Sequence, residues 1–137
     1  MTEPAVVERE EIAVQFVAVE DGLEHIRRAW DDLEAAVALH RRRFWGAFYP
    51  ESNEYRACVE VRSGDAPVPG LEAGTLPGGR FLRARLHGEP PGVYERIGPT
   101  FDELLAASEH DRSRPSLEYY RRRDDIDLLL PVLHRGT

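Results

Sequence analysis

The residues able to do chemistry gather in two short stretches. Glu118 lies in Ser116-Leu117-Glu118-Tyr119-Tyr120, where an extended chain puts Ser116, Glu118 and Tyr120 on one face and Leu117 and Tyr119 on the other. Trp45, Phe48 and Tyr49 crowd FWGAFYP, where the same alternation separates Trp45 and Tyr49 from Phe44 and Phe48. A carboxylate among rings is desolvated, which raises its pKa until a cation pairs with it. A delocalised organic cation, being weakly hydrated, then gains ring contact and cation–π attraction as well as the charge. A strand Glu is ordinarily exposed, however, because Glu is almost never buried unpaired. One aromatic set in FWGAFYP must be core. Trp45 and Tyr49 are the better candidates for the other set, since their polar tips tolerate a partly wet site.

Other chemistries are poorly served. The 18 basic residues are all Arg, so a Walker-type phosphate loop and Schiff-base chemistry, which need a Lys, are excluded. The single cysteine, Cys58, makes neither an internal disulfide nor a thiolate metal site, which fits the cytoplasm. His25, His40, His87, His110 and His134 show no metal-ligand spacing, and no serine sits in a G-x-S-x-G context, so neither a metal nor another cofactor is expected. A net charge of −7 argues against general nucleic-acid binding and mildly favours a cationic ligand. The triplets Arg41 to Arg43 and Arg121 to Arg123 read as solvated faces. No apolar run approaches the roughly 20 residues that span a bilayer, and the acidic N-terminus lacks a signal-peptide core. A cytoplasmic protein with no membrane partner is expected.

The elements that must position these residues follow from periodicity. Residues 12–19 read as a strand buried on both faces. Asp21 and Glu24 form a capping-box pattern ahead of an amphipathic helix running to about Arg41, with Leu23, Ile26, Trp30, Leu33 and Val37 inward. Strands at 44–49 and 55–62 flank a turn around Pro50, Ser52 and Asn53. After a Gly/Pro-rich connector, residues 71–76 and 80–86 read as a hairpin around Pro77-Gly78-Gly79. A second helix carries Tyr94, Ile97, Phe101, Leu104 and Leu105, with a restart at a Thr100/Glu103 capping box because Pro99 disfavours helix at Gly98. Tyr94 and Trp30 read as core. Strands at 116–121 and 126–132 close the chain. The expected fold is α+β: one domain over residues 1–137 built from duplicated strand–helix–strand–strand modules, about 10–63 and 70–133, forming an antiparallel sheet with two helices packed on it.

The order of these elements and five local motifs resemble the GyrI-like (gyrase-inhibitor-like) small-molecule-binding domain family. The motifs are Leu76 to Gly79 as its Leu-Pro-x-Gly hairpin, His87-Gly88 ending the next strand, Glu118 in the aromatic SLEYY strand, Pro131-Val132 in the closing strand, and FWGAFYP before YRACVEV as the paired strands of the first half. The resemblance covers nearly the whole chain. It implies a ligand cleft between the halves, with Glu118 the counter-charge for bulky lipophilic, often cationic molecules and Tyr120, Trp45, Tyr49 and Phe48 around it. About ten residues precede the first strand, so no helix-turn-helix and no direct DNA binding are expected. The resemblance also carries two other readings. One is a hydrolase of strained cyclopropane-containing drugs, with Glu118 as general base on water. The other is a gyrase-inhibitor-like role toward a protein partner.

Overall fold

The computed structural model describes residues 3–38 and 41–133. In chain order these form β1 (Ala5–Arg9), β2 (Ile12–Glu20), α1 (Leu23–Ala36), β3 (Phe44–Tyr49), β4 (Glu54–Glu60), β5 (Glu72–Leu76), β6 (Gly79–His87), α2 (Gly92–Glu95), α3 (Ile97–Ala107), β7 (Ser116–Arg122) and β8 (Asp125–Pro131). The strands make one antiparallel sheet in the order β1-β6-β8-β7-β3-β4-β2-β5. The expected duplication is visible in that order. The first half contributes β2, α1, β3 and β4, the second β6, α3, β7 and β8, and they meet where β3 pairs β7. Among the described residues no helix is long and apolar enough to cross a membrane.

Several local expectations are corrected. The acidic start holds a strand, β1, and residues 71–76 do not form a hairpin with β6. Instead β5 pairs with β2 and β1 with β6, so each half lends its leading strand to the other. Glu10-Glu11 and Pro77-Gly78 carry the chain on between sheet edges rather than reversing it, and they touch: a Cβ on Gly78 would lie 2.8 Å from Glu10 C and Glu11 N. Helix α1 starts after Gly22, whose φ of 149° suits glycine, with no side-chain cap from Asp21. It ends at Ala36, and residues 39–40 of the expected helix, His40 among them, lie outside the described residues, as does His134. Helix α3 runs through Pro99, which occupies the first turn where a backbone N–H is not needed, and Thr100 is buried in the helix rather than capping it.

The short connections also dictate the sheet's shape. In a flat sheet β1 and β2 would stand six strand spacings, about 29 Å, apart. Arg9 to Ile12 is three residues on, a reach of at most about 11 Å. The sheet therefore curls, and its two faces become an inside and an outside. The inside is filled by its own side chains, including Phe16, Trp45, Cys58, Phe81, Leu117 and Leu129. The outside carries the helices. Helix α1 covers β2 and β4 through Ala29 and Leu33 against Tyr55, Ala57 and Val59, and α3 covers β6 and β8 through Leu104 against Ala84, Leu86 and Leu128.

Candidate functional site between the two helices

The central pair β3–β7 runs between the two helix-covered cores, and its register sets the site. Phe44 faces Tyr120, Gly46 faces Glu118 and Phe48 faces Ser116. Across β3 and β4, Phe48 faces Tyr55 and Gly46 faces Ala57. Directly opposed residues share a face, so Glu118, Tyr120, Tyr55, Phe44 and Phe48 all lie on the outside, beneath the helices.

The Glu118 carboxylate is the centre of a hydrogen-bond cluster. Its Oε1 accepts from Tyr55 Oη at 2.9 Å and from Tyr120 Oη at 2.6 Å. Trp30 of α1 in turn donates Nε1–H to Tyr55 Oη at 3.1 Å. The rings continue across the gap between the helices. Trp30 meets Tyr120 edge to face at 5.3 Å and Phe44 at 6.3 Å, and Tyr120 meets Tyr94 of α2 at 6.3 Å. Tyr94 Oη donates to the Arg123 carbonyl at 3.1 Å, tying α2 to the end of β7.

The electrostatics follow from this surround. Desolvation raises the Glu118 pKa, the hydrogen bonds from Tyr120 and Tyr55 oppose that rise, and the negative charge of Asp21 adds to it. Burial, then the Glu118 charge, pushes both phenols well above their ordinary value, so they stay protonated and donate. Among the described residues no Arg or His lies within ion-pair distance of Glu118. The arrangement is a desolvated carboxylate with two phenol donors on one oxygen and no counter-ion among the described residues.

The sequence-expected residues divide between the two faces. Glu118, Tyr120 and Phe48 are brought together outside. Trp45 and Tyr49 lie inside, which corrects their placement beside Glu118. Trp45 is 1% exposed and stacks on Tyr119 at 4.4 Å, and Tyr49 packs on the inner core with the Arg56 guanidinium 4.4 Å from its ring. The curl leaves the inner face without a helix, so the strand's largest ring is needed there as filling. Trp30 and Tyr94, expected as core, join the ring bridge over Glu118. Tyr55, Gly46 and Phe44 were missed. A hairpin turn between Tyr49 and Glu54 makes Phe48 oppose Tyr55, and a glycine inside an aromatic strand marks a close approach; both signals were available. Cys58 is buried inside, its thiol pushed up to about 12 chiefly by desolvation, which disfavours the nucleophilic thiolate.

Two helix-covered half-sheets thus meet over a carboxylate surrounded by rings. Residues 43–132 match the family model of the GyrI-like small molecule binding domain, and the chain belongs to that family. No curated protein matches the sequence significantly. Among solved structures, the integron cassette protein VCH_CASS2 of Vibrio cholerae is similar with a TM-score of 0.78 at 14% identity, each chain covered to 95%. SAV2435 bound to tetraphenylphosphonium has a TM-score of 0.66 at 14% identity, with 96% of this chain and 94% of that one covered. A hydrolase from Listeria innocua has a TM-score of 0.56 at 9% identity, covering 96% and 92%. At these identities the likeness concerns the fold.

Proposed function

We propose that this GyrI-like domain binds bulky lipophilic cations between its two helices, with Glu118 as counter-charge and Trp30, Phe44, Phe48, Tyr55 and Tyr120 as walls. One observation carries the reading: a desolvated carboxylate, held by Tyr55 and Tyr120, has rings for neighbours and no cation among the described residues. Such a group is costly to keep ionised and gains most from a ligand that brings its own charge without a tight hydration shell. A large delocalised cation meets both demands, whereas a compact hydrated one does not. The tetraphenylphosphonium bound by the structurally similar SAV2435 is of this kind. Because the Trp30–Tyr120–Tyr94 rings bridge the helices, a bulky ligand has to part them on entry. The setting proposed is the cytoplasm, in keeping with one reduced, buried cysteine.

The test is a titration with tetraphenylphosphonium of wild type beside Glu118→Gln. Saturable binding that weakens in the variant supports the reading; equal affinity in both removes Glu118 from its centre. A hydrolytic reading rests on the same residue, since a carboxylate with a raised pKa suits a general base on water. It requires turnover of a strained electrophile that disappears in Glu118→Gln while the ligand still binds.

A further inference from the structure

The structure also holds an open pocket of about 460 Å³ on the face opposite Glu118, at the mouth of the curled sheet. Its floor is the stacked pair Trp45 and Tyr119, 4.4 Å between centroids and 24° between planes. The Arg9 guanidinium lies over both rings, 5.2 Å from the Trp45 centroid and 5.7 Å from that of Tyr119. Among the described residues Arg9 makes no ion pair, so ring contact is the interaction that holds its head group there. It sits at the end of β1, an edge strand of the sheet.

Carboxylates border this shelf. Glu60 Oε2 accepts from Trp45 Nε1 at 3.1 Å, which fixes the Glu60 head group beside the stack. Its other oxygen has only a long contact, 3.9 Å, to Arg43, whose side chain is 70% exposed. Glu10 and Glu11 line the same pocket, giving with Glu60 three acidic residues against the two guanidiniums of Arg9 and Arg43, while the Glu8 carboxylate is engaged by Arg80 at 3.4 Å.

We propose that this mouth is a second ligand site, separate from the Glu118 cleft, for a small planar cation of the amidinium or guanidinium kind, and that Arg9 is its built-in occupant. An incoming amidinium takes the place of the Arg9 head group on the rings and presents its in-plane N–H donors to Glu60, a geometry that a carboxylate accepts well. Arg9 swings out without breaking an ion pair. It competes with the ligand, as a tethered group of the same chemistry must.

The experiment is a titration with benzamidinium, followed by the indole N–H resonances of Trp45 and Trp30, in wild type, Arg9→Ala, Glu60→Gln and Glu118→Gln. Removing the tethered competitor is expected to tighten benzamidinium binding about ten-fold in Arg9→Ala. The Trp45 resonance should move while that of Trp30 stays, Glu60→Gln should weaken binding, and Glu118→Gln should leave it unchanged. Arg9→Gln, which keeps most of the stem, is the substitute if Arg9→Ala loses its native circular dichroism. Absence of a saturable Trp45 shift in a folded Arg9 variant overturns the proposal. So does affinity lost in Glu118→Gln, which would assign the ligand to the other cleft.

Discussion

Gly46 stands directly opposite Glu118 across the β3–β7 pair, and the Glu118 carboxylate fills the space that a side chain there would take. A Cβ at Gly46 would lie 2.5 Å from Glu118 Oε1 and closer still to Tyr55 Oη. Its backbone is ordinary strand, so the glycine is required for room, not for conformation. Gly46→Ala must therefore push apart the Tyr55–Glu118 hydrogen bond. The expected loss is about 1–3 kcal/mol in denaturant unfolding, the range for an overpacked site. A fall of at least about ten-fold in tetraphenylphosphonium affinity should accompany it, equivalent to one such hydrogen bond to a charged group.

Glu118→Gln separates charge from shape. The amide oxygen still accepts from Tyr55 and Tyr120, while the desolvated charge is gone. The folded-state pKa of Glu118 is raised above its ordinary value, so the native state holds the proton more tightly than the unfolded chain does. Stability from this group is thus present below the ordinary carboxylate range and is lost as pH rises through the raised value. Urea midpoints measured from acid to neutral pH should show that decline in wild type and lack it in Glu118→Gln. At neutral pH the variant is expected to be at least as stable as wild type, yet weaker for the cation.

Ligand binding should carry the opposite dependence. A lipophilic cation pairs with the ionised form, so its affinity rises with pH through the raised Glu118 pKa, and binding near that pH expels a proton. Calorimetry in two buffers of different ionisation enthalpy reads this directly: the apparent enthalpies should differ by the difference in buffer ionisation enthalpy multiplied by a fraction of one proton released. Identical enthalpies across that pH range would mean the cation sits away from Glu118.

Periodicity carried much of this fold, because each helix and paired strand writes its buried face into neighbouring residues. Trp30 and Leu33 on α1, and Tyr55, Ala57 and Val59 on β4, are of this kind. The partners of β1 and β5 were not legible. They are decided by the curl, which brings residues 5–9 against 79–83, and no local pattern records such a pairing. The site was read in the same uneven way. Glu118 and Tyr120 lie two apart on one strand, so their shared face is visible locally. Which face of FWGAFYP joins them depends on register across β3–β7, which pairs Phe44 with Tyr120 and Phe48 with Ser116, far apart in sequence. Polar tips suggested Trp45; parity with Glu118 selects Phe44 and Phe48.

That parity gives a last, contrasting pair of substitutions. Trp45 packs inside the curled sheet, stacked on Tyr119 and bonded to Glu60, on the face opposite Glu118. Trp45→Phe leaves a void and an unpaired Glu60 oxygen, and should cost about 1–3 kcal/mol of stability. Tetraphenylphosphonium affinity should stay within about two-fold of wild type, as for a substitution remote from the bound group. Trp30→Phe keeps a ring on the outer face but deletes the donor to Tyr55 Oη. It should weaken tetraphenylphosphonium binding with little loss of stability, because Trp30 is only partly buried. If the two variants behave the other way round, the ligand lies inside the sheet and the cleft between the helices is not its site.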